Sequence, residues 1–385
     1  MSWDKVKLAD CCLSISDGDH QPPPKAVSGV PFVTIANINK SNQFDFSDTM
    51  FVPKDYYDRL DLKRKAQVGD ILYSVVGSFG IPVLIKEERP FVFQRHIAIL
   101  RPNERINSAF LYYTMLSRDF YAKADAAAIG AAQRTVSLTS LRGMEIELPP
   151  LKVQEAIASK LSVYDNLIEN NQKQIKLLEE AARRLYKEWF VNFRFPGYED
   201  TPIVDGVPEG WKKVGLASIA PIVTGKKDAN FGTADGKYLF FTCAQEPIKA
   251  PSYSFDCDAV ILAGNGDFNV KLYRGQFEAY QRTYVFSPYD KDHLYLLYHA
   301  VRESMRQLFQ GASGSTIKFL TKHMLEDILV HIPEDSILQA YNSNCEAIQK
   351  KIECLKNQII SSQEARDRLL PKLMSGEIEV QEVLV

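Results

Sequence analysis

Trp3-Asp4-Lys5-Val6-Lys7-Leu8-Ala9 returns as Trp211-Lys212-Lys213-Val214-Gly215-Leu216-Ala217, and five of the seven positions match. The same offset lays Phe32-Val33-Thr34-Ile35-Ala36 on Phe240-Phe241-Thr242-Cys243-Ala244. Further along the offset drifts, as it does when two copies of one module carry loops of different length. Gln94-Arg95 answers Gln281-Arg282, and Leu111-Tyr112-Tyr113 answers Leu296-Leu297-Tyr298. Gly130-Ala131-Ala132-Gln133-Arg134-Thr135-Val136 answers Gly311-Ala312-Ser313-Gly314-Ser315-Thr316-Ile317. Each copy closes on a short apolar stretch and proline, Pro149-Pro150 or Pro333. A repeat this long is no solenoid unit but a duplicated globular domain, and two copies of one recognition module suit a target in two parts.

Two apolar stripes run between and after the copies. From Val153, steps of four and three residues meet Ile157, Leu161, Tyr164, Ile168, Asn171, Ile175, Leu178, Ala182, Leu185 and Trp189. From Ile337 the same steps meet Tyr341, Cys345, Ile348, Ile352, Leu355, Ile359, Ser362, Arg366, Leu369 and Leu373. This spacing is a left-handed coiled-coil seam. Each run spans about 37 residues, so each predicted helix is about 55 Å long at a rise of 1.5 Å per residue. A helix with so narrow a stripe needs a partner, and the nearest equivalent is its duplicate. An antiparallel intramolecular pair is the expected arrangement, with an intermolecular coiled coil as the alternative. Asn171 either fixes register or lies where the seam bends into water. Ser362 and Arg366 predict a seam that weakens toward its C-terminal end. The expected fold is α+β: duplicated domains at 1–152 and 198–333, separated by two long antiparallel helices at 153–197 and 334–385, in a pseudo-two-fold internal repeat.

Within the copies, β-rich runs at 30–35, 70–76, 82–85 and 96–100 recur at 238–242, 259–262, 271–273 and 283–286. Gly77-Ser78-Phe79-Gly80 and Gly264-Asn265-Gly266-Asp267-Phe268 stand between neighbouring strands as hairpin loops. Helices are predicted at about 108–123 and 291–310.

The composition narrows function mainly by exclusion. The 385 residues are 45% hydrophobic, with 21 Phe and 18 Tyr, enough for real cores. A formal net charge of −2 does not advertise a nucleic-acid binder, so any such face must come from local clustering. The chain has no phosphate-binding GxxxxGK(S/T) loop, no HExxH and no GxSxG. It lacks the glycine loop and the Pro-Pro-aromatic strand end that an adenine methyltransferase needs. The six cysteines have no CxxC pairing, which reads as reduced usage without a zinc site. His20 beside Asp17 and Asp19 could suggest a metal cluster, but Asp-Gly-Asp-His is more simply a polar turn. No catalytic residue and no metal site is expected.

Several stretches together resemble the specificity subunit of type I restriction–modification systems. They are Gln133-Arg134-Thr135-Val136-Ser137-Leu138, Leu148-Pro149-Pro150-Leu151-Lys152-Val153-Gln154-Glu155-Ala156-Ile157, Leu185-Tyr186-Lys187-Glu188-Trp189-Phe190-Val191-Asn192-Phe193 and the ending Arg368-Leu369-Leu370-Pro371-Lys372-Leu373-Met374-Ser375-Gly376-Glu377-Ile378. The resemblance implies two target recognition domains, each reading half of an asymmetric bipartite DNA site. It implies paired helices that set the gap and dock two methyltransferase subunits, with restriction subunits joining them. S-adenosylmethionine, ATP and Mg2+ would sit on those partners and no cofactor on this chain, in a prokaryotic cytoplasm without membrane attachment. A specificity subunit for a fused type II nuclease–methylase and a protein-binding coiled-coil scaffold are the alternatives.

Base reading needs amides, guanidinium groups and hydroxyls on exposed loops or strand tips. Copy one offers Gln94, Arg95, His96, Gln133, Arg134 and Thr135. Copy two offers Lys226, Lys227, Asn265, Asn269, Lys271, Gln281, Arg282, Ser313, Ser315, Thr316 and Lys318. The expectation is that Gln133 and Arg134 read bases and that Lys226 and Lys227 bind phosphates. The shared Gln-Arg could instead be a structural bond. Trp189, Phe190 and Phe193 are either a methyltransferase-facing surface or the foot of their own helix.

Overall fold

The computed structural model describes residues 3–39, 41–131, 133–266, 268–312 and 318–380. The chain forms two compact units, Met1–Lys173 with Leu355–Val385, and Gln174–Cys354. Each takes one copy of the repeat and part of each long helix.

The opening motif explains itself in both units. Asp4–Lys7 pairs antiparallel with Glu145–Leu148, and the Leu8 N–H then donates to the Met144 carbonyl at 2.8 Å. Lys212–Gly215 pairs likewise with Leu329–Ile332, and the Leu216 N–H donates to Ile328 at 2.9 Å. Leu8 and Leu216 are both fully buried. The repeated motif is a clasp that ties the first strand of a domain to its last, just before the long helix begins.

The sheets differ in continuity. In the first unit Cys12–Asp17, Ile97–Pro102, Ile71–Ser74 and Pro82–Leu84 form one antiparallel sheet, in that order. Met50–Val52, Val30–Val33 and Val92–Phe93 form a second, with Val30–Val33 parallel to Val92–Phe93. In the second unit Val270–Ala279 runs unbroken and serves both roles, so six strands join in one sheet. The break in the first unit falls at Lys86-Glu87-Glu88-Arg89-Pro90, where charge and a proline without an N–H end the ladder. The helix expected over 108–123 is two helices, Ser108–Leu116 and Arg118–Ala127. Ser117 separates them: its hydroxyl donates to Thr114 O at 2.7 Å and accepts from Phe120 N at 3.2 Å, so capping outcompetes helix continuation.

The long helices are Leu151–Tyr186, closed by the π-helical turn Lys187–Val191, and Asp335–Met374. Every seam position in the two expected stripes is buried or half-buried. In the first unit the two run antiparallel, with Asp165 opposite Arg366 and Asn171 opposite Gln358. Asn171 is not wet. It is buried, and its amide donates to Gln358 Oε1 at 3.1 Å, a polar pair that fixes register. The seam also does not fade at Ser362 and Arg366: both are shielded, and Arg366 pairs with Asp165 at 2.6 Å. Gln154, in the Pro-Pro-Leu-Lys-Val-Gln stretch, is a buried latch. Its carbonyl accepts from Asn107 N at 2.8 Å, and its amide donates to Pro149 O and Arg105 O.

In the second unit the antiparallel pairing brings Tyr186, Trp189 and Phe190 onto Tyr341, with the Phe190 and Tyr341 rings 4.7 Å apart. Trp211, from the clasp, packs on Phe190, Phe193 and Phe195. His299 is buried here against Tyr186 and Tyr298, with Nδ1 unpartnered among the described residues. Burial, and to a lesser degree the charge of Arg302, pushes its pKa down to about 3. The unfolded imidazole titrates near 6.5, so the unfolded chain takes up the proton first. The stabilisation from this neutral ring is complete above about pH 6.5 and is lost as pH falls toward 3, about 2 kcal/mol by pH 5. Hydrogen bonding from Arg274 and Tyr295 holds Glu346 at about 2, a contribution lost only below about pH 4.5, where an unfolded glutamate begins to protonate. Urea melts at pH 7 and pH 5 should therefore separate by less in His299→Leu than in the parent chain; equal separations would refute this role.

Candidate nucleic-acid interface

In each unit four chain segments run side by side at the hairpin tip, laced by matching backbone hydrogen bonds. In the first, Gly18 N–H donates to Ile97 O at 3.1 Å, Arg95 N–H to Asp19 O at 3.0 Å and Val75 N–H to His96 O at 2.9 Å. Val136 N–H donates to Val75 O at 2.9 Å, and Gly77 N–H to Arg134 O at 2.9 Å. In the second, Gly225 N–H donates to Thr283 O at 3.1 Å, Gln281 N–H to Lys227 O at 2.9 Å and Gly264 N–H to Arg282 O at 2.9 Å. Leu320 N–H donates to Gly264 O at 2.8 Å, and Gly266 N–H to Lys318 O at 3.2 Å.

Two kinds of glycine build this lattice. Gly77 and Gly266 turn the hairpins at φ of +68° and +67°, a region that side chains disfavour. Gly18 and Gly225 let two backbones cross. A Cβ at Gly18 would lie 2.3 Å from Phe93 O, and one at Gly225 would lie 2.0 Å from Ala279 O. Sequence reasoning missed this pair. Both glycines follow a strand, which is the signal that could have found them.

The bonds also correct the alignment of the copies. Ile97 N–H donates to Gln94 O at 3.0 Å as Thr283 N–H does to Tyr280 O at 2.8 Å. Gln94 thus corresponds to Tyr280, Arg95 to Gln281 and His96 to Arg282, one place from the Gln-Arg identity. Arg134 corresponds to Lys318 and Val136 to Leu320, three places from the alignment of Val136 with Ile317.

All six candidates of the first unit, Gln94, Arg95, His96, Gln133, Arg134 and Thr135, fall on this lattice. Arg95 is exposed and makes no ion pair with a described residue. Burial, and then the Arg95 charge, lowers the His96 pKa. Arg134 is committed: its guanidinium bonds the side chain and backbone carbonyl of Asp125, both at 2.5 Å, and lies over the Phe79 ring, which stacks on Tyr121. In the second unit Lys226, Lys227, Asn265, Gln281, Arg282 and Lys318 are on the lattice. Lys318 repeats the Arg134 arrangement, with Nζ donating to Phe309 O and lying 3.9 Å from the centre of the Phe309 ring, which meets Phe268 edge-on. Lys226 is exposed, whereas Lys227 lies over Phe231. Asn269 and Lys271 instead tie down the neighbouring loop through Cys243 O and Ala244 O. Ser313, Ser315 and Thr316 lie outside the described residues.

Trp189 and Phe190 are side chains of the second unit's core, 9% and 0% exposed, and Phe193 packs on Trp211 and His331. Trp189 and Phe190 are the foot of their own helix and cannot form a partner surface without leaving that core, whereas Phe193 is half-buried at its edge. Asp17 pairs with His20, and Asp19 accepts from Tyr56 Oη; among the described residues no group of side chains could hold a metal ion. Among the same residues no helix is long and apolar enough to cross a membrane.

The sequence profile described as type I restriction modification DNA specificity domain matches residues 2–180 and again 208–360. The chain belongs to this specificity-subunit family. Two matches on one chain correspond to the two clasped modules. A relative is the type I restriction enzyme EcoDI specificity subunit of Escherichia coli, 38% identical over 168 residues, covering 44% of this chain and 36% of that one. The MjaIX specificity subunit of Methanocaldococcus jannaschii is 24% identical over 348 residues, 82% of this chain and 79% of that one. A crystal structure of the type I restriction–modification S subunit from M. genitalium shares the fold, with a TM-score of 0.56 at 15% identity over 97% of this chain and 96% of that one.

Proposed function

We propose that the modules at 1–152 and 198–333 are target recognition domains, each reading one half of an asymmetric bipartite DNA site. The helices at 153–197 and 334–385 set the number of base pairs between the halves. The observation that carries this reading is the duplicated lattice: one backbone frame, presented twice, with different side chains at its tips. Such frames suit direct readout, in which amides and guanidinium forks meet base edges while cations meet phosphates.

Catalysis belongs to partners. Two methyltransferase subunits would flip and methylate adenine with S-adenosylmethionine, and restriction subunits would bring ATP and Mg2+ chemistry. With Trp189 and Phe190 buried, the docking surface is assigned instead to exposed apolar residues of the central helix. Val163 and Leu167, four residues apart and 63% and 41% exposed, share one outer face in the first unit. Coexpression with the cognate methyltransferase should give a complex with two methyltransferases and one copy of this chain. Methylation sequencing should return two fixed half-sites around a constant gap. A complex that saturates at one methyltransferase, or methylation without a bipartite motif, would refute the reading.

A further inference from the structure

Where the two modules share backbone and chemistry, the feature serves both half-sites alike. Where they share backbone but not chemistry, it can tell the half-sites apart. Arg134 over Phe79 and Lys318 over Phe309 are of the first kind: a cation in the same lattice position, held against an aromatic pair and a carbonyl oxygen. The turn Gln94-Arg95-His96 and its counterpart Tyr280-Gln281-Arg282 are of the second. Their backbones make the same bonds: Gln94 N–H to Val33 O and Tyr280 N–H to Phe241 O, at 3.2 and 3.0 Å, then the Asp19 and Lys227 bonds, then the His96 and Arg282 carbonyls accepting from Val75 and Gly264. On that common frame stand an amide, a guanidinium and an imidazole in one unit, and a phenol, an amide and a guanidinium in the other.

We infer that this three-residue turn is the specificity-determining element of each module, and that Arg134 and Lys318 are a shared frame that does not choose bases. The inference rests on the two-domain DNA-reading proposal and narrows it to named positions. The chemistry fits the major groove, where a guanidinium fork pairs with guanine and a side-chain amide with adenine. Arg95 and Arg282 are both exposed and unpaired among the described residues, free to present that fork. They stand one position apart on the common frame. Transplanting one turn onto the other unit therefore moves the fork along the groove without changing the formal charge.

The test is the triple variant Q94Y/R95Q/H96R, which gives the first unit the turn of the second. Because the charge is conserved, the phosphate contribution and the salt dependence of binding should stay as in the parent. Methylated-motif sequencing of the complex with its methyltransferase should find one half-site altered at one or two positions, with the other half and the gap unchanged. R95K keeps the charge but loses the fork, and should relax discrimination at one position by roughly 10- to 100-fold. R134K, which makes the first unit resemble the second at the frame position, should leave the motif intact. A triple variant or R95K that methylates the parent motif with parent discrimination overturns the inference, as does R134K with a changed motif. Should the triple variant fail to fold by thermal melt, R95K and R134K decide alone. A parent chain that yields no bipartite motif would instead defeat the underlying reading.

Discussion

Gly225→Ala should cost the second unit roughly 3 kcal/mol or more, a large share of the 5–15 kcal/mol that holds a typical domain together. The added methyl would sit 2.0 Å from Ala279 O and 2.2 Å from its carbonyl carbon. These are backbone atoms at the end of the long strand Val270–Ala279, which is bonded on both sides. No flexible side chain can yield, so the strands must separate. Gly18→Ala should act alike in the first unit, where the obstruction is Phe93 O and Gln94 O. Gly266→Ala is the control. It has positive φ but nothing within 4 Å of a built Cβ, so it pays only conformational strain, about 1 kcal/mol. Urea denaturation compares the variants directly. A Gly225→Ala chain as stable as Gly266→Ala would mean that the crossing is loose and the lattice is not a rigid frame.

The parts of this fold that were legible in the sequence are those governed by periodicity. The seam from Val153 to Trp189 and its repeat from Ile337 to Leu373 could be found because burial acts over ten turns of helix, and one polar residue in the first and two in the second do not hide the pattern. The clasp was legible because the same backbone task was solved twice with almost the same letters. The candidate interface was less so, because its register is set by main-chain bonds. Gln94-Arg95 and Gln281-Arg282 look equivalent as letters, yet the Asp19 and Lys227 carbonyls hold them one place apart. The loop alignment slipped three places because Gly130 and Gly311 match as letters, whereas Gly311 ends a helix as Ala127 does and the Val75 and Gly264 carbonyls pair Val136 with Leu320. Trp189 and Phe190 read equally well as surface or core until Tyr341 and Trp211 were placed against them.

Arg366→Met should cost the first unit about 3 kcal/mol, although a methionine suits a helix seam better than an arginine on hydrophobicity alone. The reason is what it leaves behind. Asp165 and Arg366 are 15% and 13% exposed at their side chains, and the carboxylate also accepts from Tyr113 Oη at 2.7 Å. Burial is the chief cause of the raised Tyr113 pKa, with Asp165 adding to it, so the hydroxyl stays protonated and keeps donating. Without the guanidinium, Asp165 is a shielded charge held by one neutral donor, and removing one partner of a buried pair typically costs 3–5 kcal/mol. The double variant Asp165→Leu with Arg366→Met removes both charges and should recover much of the loss, since well-packed apolar replacements of buried pairs are often neutral or stabilising. The double-mutant cycle in urea measures the coupling. Additive losses would assign the pair no shared role. A strong coupling, together with the Asn171–Gln358 bond, would mean that the seam trades some stability for a single register: sliding either helix by one turn would leave the shielded Asp165 and Arg366 and the buried Asn171 without their partners.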